Sequence, residues 1–268
     1  MQRFNVTHRV RLISGLVLFA YMATHLANHG LGLISLAAME AGRSVFLALW
    51  RAPPLTAALY LSLAVHVALA LWALYRRRTW RGMRRVEVLQ LIFGFTVPPL
   101  LAGHILATRG LHELYDLEDS YAFVINSIWI VSPFYGVQQT LVVILAWVHG
   151  CIGLHYWLRL KPWYRPVMPW AFGAALLLPV LALLGFAAAG REVGRLLLDP
   201  RWAAAFRDSL KLVDLRSAAS WAYGVRDGGQ LAMAALLALV LLARLARRVV
   251  ERGLGTVTLA YPGRQVRL

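Results

Sequence analysis

The 268-residue sequence has a single cysteine, Cys151, which excludes both a disulfide framework and a cluster of thiolate ligands. Acidic residues are also scarce, with 12 Asp and Glu against 28 Lys and Arg. The basic segments between apolar runs are too short to hold a nucleotide site, and they offer no carboxylate pair for catalytic metal ions. We therefore expect no catalytic domain within this chain.

Apolar residues are what the sequence has in abundance. They make up 60% of it, whereas charged residues make up 15%. Such a composition is typical of a polytopic membrane protein, and a helix needs roughly 20 apolar residues to cross a bilayer. Six stretches meet that length, which predicts an all-α fold of six transmembrane helices. They lie at about 12–34, 54–75, 88–108, 135–158, 167–189 and 228–246.

The distribution of basic residues predicts the orientation of these spans. With an even number of spans both termini share one side, and 18 of the 28 basic residues flank the spans there against only Glu87 and Glu251. Positive charge accumulates on the cytoplasmic side, so both termini are predicted to be cytoplasmic, in a bacterial inner membrane. The same distribution explains the high pI of 11.1 and argues against nucleic acid as a partner. The 18 are Arg3, Arg9, Arg11, Arg76, Arg77, Arg78, Arg81, Arg84, Arg85, Arg159, Lys161, Arg165, Arg244, Arg247, Arg248, Arg252, Arg264 and Arg267.

The connecting segments differ in character. Residues 35–52 have apolar positions at helical spacing and predict a short amphipathic helix at the outer interface, and residues 191–226 predict one or two more. The final "TVTLAYPGRQVRL" alternates apolar and polar positions around Pro-Gly, which is typical of a β-hairpin. We therefore predict a membrane domain over 1–252 and the start of a cytoplasmic β-rich domain over 253–268.

Four of the eight histidines lie inside predicted spans, one on each of the first four. They are His25, His66, His104 and His149. An unpaired imidazole is costly in hydrocarbon, so intramembrane histidines indicate a site. A bis-histidine haem needs one axial imidazole on each face, from helices that face each other. Four such histidines predict two haems, although one haem, or none, with the rings in interhelical hydrogen bonds, stays open.

Depth in the membrane predicts which histidines pair. His66 lies ten residues before Arg76 and His149 ten before Arg159, which puts both about 15 Å from the arginine-rich side. His25 and His104 lie farther, at about 21–28 Å. Gly15 precedes His25 by ten residues and Gly94 precedes His104 by ten, which indicates that the first two helices recur as the third and fourth.

Two other histidines are secondary candidates. His29 lies one turn from His25 on the same helix face, so spacing leaves it open as the outer ligand, although the glycine repeat favours His25. His155 lies six residues after His149, about 240° around the helix, and is expected to bind a haem propionate, a lipid or water. His8 and His112 lie outside the predicted spans.

At this point the motifs resemble a known family. "SGLVLFAYMATH", "AVHVALALWALYRRR", "FGFTVPPLLAGH" and "WVHGCIGLHYWL" are similar to the ligand helices of the di-haem cytochrome b subunit of succinate dehydrogenases and fumarate reductases. The resemblance implies two haem b groups, one held by His25 and His104 and the other by His66 and His149. It also implies exchange of electrons with membrane quinone, for which Arg9, Arg11 and Ser14 resemble the family's entry motif, in a different register.

The sixth span and the hairpin depart from those subunits. Together with "FNVTHRVRLISG" and "GLISLAAMEAGR", they resemble the amino-terminal membrane module of bacterial class III adenylate cyclases. That resemblance implies a homodimer and cytoplasmic ferredoxin and cyclase domains in the same protein, with any [2Fe–2S] cluster beyond residue 268. A respiratory anchor subunit and a haem-free membrane receptor with proton-sensing histidines are the alternatives.

Overall fold

A computed structural model describes residues 6–77, 79–210, 214–253, 258–261 and 264–267 of the chain. Six helices in this part are long and apolar enough to cross a membrane, which confirms the predicted all-α fold and number of spans. The spans are longer than the apolar stretches alone indicated, because the helices continue into flanking polar sequence. They cover Val6–Leu33, Pro53–Arg76, Arg85–Tyr115, Pro133–Leu158, Tyr164–Leu196 and Arg216–Glu251.

Within the described ranges the elements follow one another as ten α-helices and two strands. The helices are α1 Val6–Gly30, α2 Leu36–Trp50, α3 Pro53–Arg76, α4 Arg85–Ile105, α5 Leu111–Tyr115, α6 Tyr121–Ile125, α7 Pro133–Leu158, α8 Tyr164–Leu196, α9 Pro200–Leu210 and α10 Leu215–Gly253. A 3₁₀ turn, Leu31–Leu33, extends α1. The π-helical segments Leu106–Gly110 and Asn126–Val131 follow α4 and α6.

Local sequence accounts for several helix boundaries. Pro53 and Pro133 begin α3 and α7, where a missing N–H costs nothing. Ser35 caps α2 by accepting from Ala38 N–H, and Ser120 caps α6 in the same way. The predicted interfacial helix over 35–52 is thus α2. Residues 191–226 contain the end of α8, all of α9 and the start of α10, with 211–213 outside the described part.

The first four spans form the centre of the molecule. Helix α1 packs along α3, and α4 packs along α7, so the two halves predicted from the glycine repeat use the same pairing. Helix α8 lies against α1 and α7, and α10 lies against α3 and α4. The fifth and sixth spans therefore flank the four-helix core from two sides.

Helices α1 and α8 approach each other at backbone distance. A Cβ added to Gly32 would overlap the Gly185 carbonyl, and one added to Gly185 would overlap the His29 carbonyl. Beyond this contact, Ala189 and Val193 are fully buried against α2 and α6. The end of α8 is therefore packed inside the chain at these two positions.

Large apolar side chains cover the outer faces of the spans. Trp170 on α8 is 81% exposed and Leu231 on α10 is 72% exposed. A protein in water does not leave so much apolar surface open, and a bilayer would cover it. After α10, strands β1 Thr258–Tyr261 and β2 Arg264–Arg267 pair antiparallel. The hairpin pattern therefore forms strands, whereas the ferredoxin-like domain that it suggested stays a prediction.

Candidate functional site

The four intramembrane histidines meet in two pairs inside the core. We call His25 on α1 and His104 on α4 the outer pair, and their ring centroids lie 6.0 Å apart. We call His66 on α3 and His149 on α7 the inner pair, with centroids 6.3 Å apart. The pairs that depth in the membrane predicted are thus the ones whose rings face each other.

Hydrogen bonds fix the tautomers of the inner pair. Nδ1 of His149 lies 3.0 Å from the Gln90 carbonyl oxygen, which can only accept, so Nδ1 carries the proton. Nδ1 of His66 lies 3.3 Å from the Ser14 hydroxyl, which donates its own proton to the Arg11 carbonyl. The Ser14 oxygen is then an acceptor for His66. In both rings Nε2 keeps its lone pair, as a metal ligand requires.

In the outer pair, the His25 ring lies among aromatic side chains. His25 Nδ1 is buried and has no hydrogen-bond partner within the described structure. The His25 ring stacks on Tyr21 at 5.8 Å and also contacts Phe46. A buried imidazole nitrogen without a hydrogen-bond partner destabilises the fold, so packing alone does not explain a histidine at this position.

Two glycines let backbone approach the inner pair. A Cβ on Gly15 would lie 3.2 Å from Cε1 of His66, and a Cβ on Gly94 would lie 2.7 Å from Cε1 of His149. Gly15 lies on α1 with His25 and borders His66, and Gly94 lies on α4 with His104 and borders His149. The glycine repeat read from the sequence is therefore a repeat of packing.

One cavity of about 960 Å³ connects both pairs. Its walls are largely apolar, and its two ends are lined by arginines. At the end nearer the inner pair these are Arg11, Arg77, Arg84 and Arg159, and at the other end Arg43, Arg51 and Arg109. An elongated apolar space with cationic ends suits flat apolar groups that carry carboxylates.

The outer end is held by a buried ionic network. Asp119, whose side chain is 8% exposed, bonds Arg43 at 2.8 Å and pairs with Arg51 through its other oxygen. Glu40 lies 3.5 Å from Arg43 and accepts from the backbone N–H of Tyr121 at 2.6 Å. Burial raises the pKa of Glu40, although Arg43 and the backbone donors oppose the rise. The network ties α2 to the segment before α6.

The remaining histidines take other positions. His29 contacts His25, Tyr121 and Phe186 by its ring, toward α6 and α8, and it also borders the cavity. His155 is exposed, and its Nδ1 lies 3.1 Å from the Tyr164 hydroxyl. His8 and His112, which lie outside the apolar stretches, sit on the ends of the spanning helices, because α1 and the helix after α4 extend that far.

The three candidate quinone residues separate. Ser14 is buried and joins the inner pair through His66, so its nearest partner is a histidine rather than an open site. Arg11 lines the cavity beside it, whereas Arg9 is exposed and is absent from the cavity wall. The structure thus brings Ser14 and Arg11 together and leaves Arg9 apart.

The site also contains groups that the sequence did not indicate. Gln90 takes part through its backbone carbonyl, which no sequence pattern marks. Asp119 is one of several acidic residues in a loop, and only its burial between Arg43 and Arg51 distinguishes it. The sequence offered one indication. Arg43 and Arg51 lie in a predicted interfacial helix on the side of the membrane that has fewer basic residues.

The spacing of the rings fits two ligands on opposite faces of one metal ion. A ligating nitrogen lies about 2 Å from its metal and about 1 Å from the centre of its own ring, so two collinear imidazoles have centroids about 6 Å apart. Both pairs match that value. Among the residues described, no group of three or more His, Cys, Asp or Glu could hold a metal ion.

No protein-family model, no curated protein and no solved structure matches the chain.

Proposed function

We propose that the chain is a di-haem b membrane domain that transfers electrons across the bilayer and exchanges them with membrane quinone. The observation that carries this proposal is the pair of ring separations, 6.0 Å and 6.3 Å, at two depths of one continuous cavity. Interhelical hydrogen bonding alone would give neither the repeated spacing nor a buried unpartnered nitrogen on His25.

The residues of the chain supply ligation and tuning. His25 and His104 would hold one haem, and His66 and His149 the other, each through a neutral ring nitrogen. A bound haem b supplies an iron that changes its charge by one electron. The hydrogen bonds that His66 donates to the Ser14 hydroxyl and that His149 donates to the Gln90 carbonyl orient the inner rings and set their basicity.

The arginines at both ends of the cavity have a defined task in this proposal. Carboxylates and the developing charge on a reduced quinone require cationic partners at the membrane interfaces. Arg11 and Arg84 border the cavity near the inner pair, where they could bind a propionate or a quinone head group. Arg51 and Arg43 already share Asp119, so the outer end offers less free positive charge.

We further propose that the domain is the regulatory membrane anchor of a cyclase. The support is that α10 leads into an antiparallel hairpin, as the opening of a further domain would require. A respiratory anchor subunit would bind separate iron–sulfur and flavoprotein partners on the arginine-rich face instead. Sequencing the gene beyond codon 268 distinguishes these two contexts, because cluster cysteines and a cyclase domain should follow in frame.

The experiment that tests the haem proposal is spectroscopic. The chain is produced in cells supplied with a haem precursor, purified in detergent, and assayed for haem and protein on the same sample. We expect two haems per chain and a spectrum of low-spin bis-imidazole iron that a quinol analogue reduces. A folded, colourless preparation would refute the proposal.

A further inference from the structure

A second cationic site lies on the outside of the core, where the arginine-rich ends of α3 and α10 meet. We define the Arg244 cluster as Arg77, Trp80, Arg244 and Arg247. Trp80 lies between two guanidinium groups, that of Arg244 at 4.3 Å from its ring centroid and that of Arg77 at 5.7 Å. Arg77 also lines the cavity of the histidine pairs, whereas Trp80, Arg244 and Arg247 do not, so the cluster needs an explanation of its own.

Arg244 is unusual because it is a buried cation. It is 5% exposed, and its Nε donates to the backbone carbonyl of Arg77 at 2.7 Å. Its Nη2 is buried and has no acceptor, and no carboxylate in the described structure lies within ion-pair distance of it. A buried charge without a partner is strongly destabilising, so a native structure rarely leaves such a cation uncompensated.

Neighbouring charges do not compensate it. The nearby carboxylates of Glu87 and Glu251 are paired with Arg77, Arg84 and Arg247, and neither lies within ion-pair distance of Arg244. Glu87 is bonded by Arg84 at 3.1 Å and lies 3.9 Å from Arg77, while Glu251 lies 3.4 Å from Arg247. Two positive charges stay in excess among these six groups. An anion with several acceptor oxygens would satisfy both.

The surroundings favour a lipid over a soluble anion. Arg244 faces α3 near the end of a spanning helix, and Leu241 and Leu245 beside it on α10 are 42% and 57% exposed. Trp72 on α3 is 50% exposed, at the level where aromatic side chains border the head groups. A molecule with a phosphate and acyl chains would bond the arginines and cover these apolar side chains at once.

We propose that the Arg244 cluster binds the phosphate of an anionic phospholipid and thereby holds the loop between α3 and α4 against α10. Basic clefts between transmembrane helices on the cytoplasmic side are suited to such head groups. Because α10 leads to the C-terminal hairpin, the bound lipid would stiffen the link between the core and whatever follows. This proposal does not depend on haem.

The test uses the purified chain in phosphatidylcholine nanodiscs that contain graded fractions of phosphatidylglycerol. Bound phosphatidylglycerol is counted by native mass spectrometry. A guanidinium that contacts the lipid phosphate directly contributes a factor of about five in affinity, so Arg244→Gln should raise the apparent Kd about fivefold. Arg165→Gln is the control, since Arg165 is an exposed arginine at the start of α8, on the arginine-rich side of the bundle but outside the cluster. It should leave the apparent Kd within about twofold.

Two further arms keep the outcome decisive. If Arg244→Gln does not fold, Arg247→Gln, which changes a less buried member of the cluster, should show a similar weakening. Inorganic phosphate and glycerophosphoglycerol, which carry the anion without acyl chains, should not compete at concentrations comparable to the lipid. Equal weakening in Arg165→Gln would mean general surface charge, and competition by inorganic phosphate would mean a free anion. Either result overturns the proposal.

Discussion

His66 and His149 face each other across the four-helix core with ring centroids 6.3 Å apart and an interplanar angle of 86°. They come from α3 and α7, and each presents its Nδ1 to an acceptor in the other elements of its own half. The outer pair, His25 and His104, repeats the separation on α1 and α4. This doubled arrangement leads to specific expectations.

Removing one histidine should remove one haem. In His66→Ala or His149→Ala the inner haem has a single axial ligand, so we expect about half of the haem absorbance to be lost. His25→Ala or His104→Ala should remove the outer haem with a different spectral shift. Haem per chain is measured by pyridine haemochrome.

The control for these variants is His155→Ala, because His155 lies on the same helix as His149 and bonds Tyr164 outside the cavity. It should retain both haems. His29→Ala distinguishes the two candidates for the outer ligand, and loss of one haem there together with full content in His25→Ala would reverse our assignment.

Ser14→Ala should weaken retention of the inner haem. The Ser14 hydroxyl is the acceptor for Nδ1 of His66, and removing such a partner lowers metal affinity about 10–100-fold. Haem loss to apomyoglobin, followed by absorbance, reports the rate. Ser44→Ala is the matched control, since Ser44 also donates to its own helix, at the Glu40 carbonyl. Identical rates for both variants would contradict the role assigned to Ser14.

Gly94→Ala should disturb the inner site by steric overlap. The new methyl group would lie 2.7 Å from Cε1 of His149, so the ring must rotate or α4 must move away from α7. We expect reduced haem content and a shifted absorbance band. Gly173→Ala on α8, where a Cβ meets nothing within 4 Å, should be silent. An unchanged spectrum in Gly94→Ala would show that the ring has more room than the structure gives it.

Gly185→Ala should separate α8 from α1. A methyl group there overlaps the His29 carbonyl, a backbone atom that cannot rotate away, so overpacking should cost about 1–3 kcal/mol of unfolding free energy. Unfolding is followed by circular dichroism in a graded series of denaturing detergent. Gly194→Ala on the same helix meets open space and should not destabilise the protein. Equal stability of the two variants would rule out the close crossing.

Glu40 should make stability depend on pH. Burial raises its pKa in the folded state above the ordinary value of 4.5, so the folded chain binds this proton more tightly than the unfolded chain does. The contribution of Glu40 to stability is then greatest at low pH and is lost as the pH rises from 4.5 through the raised pKa. Glu40→Gln should remove this slope. A variant whose unfolding free energy keeps the wild-type slope over that window would exclude Glu40 as its source.

The amino-acid sequence by itself determined the quantities that run along a helix. Apolar length sets the number of spans, and a rise of 1.5 Å per residue sets the depth of each histidine, so six spans and the level pairs followed without tertiary information. Helix ends were harder to predict from the sequence, because α1 and the helix after α4 continue beyond their apolar stretches.

Only the tertiary structure decided the quantities that lie around and between helices. Which neighbour a helix face meets depends on packing of the whole bundle, so sequence spacing could not choose between His25 and His29, whereas the ring contact with His104 belongs to His25. His149 donates to the Gln90 carbonyl, 59 positions away in the sequence, and Arg51 pairs with Asp119, 68 positions away. Such contacts depend on how helices rotate and associate, and no local pattern encodes that.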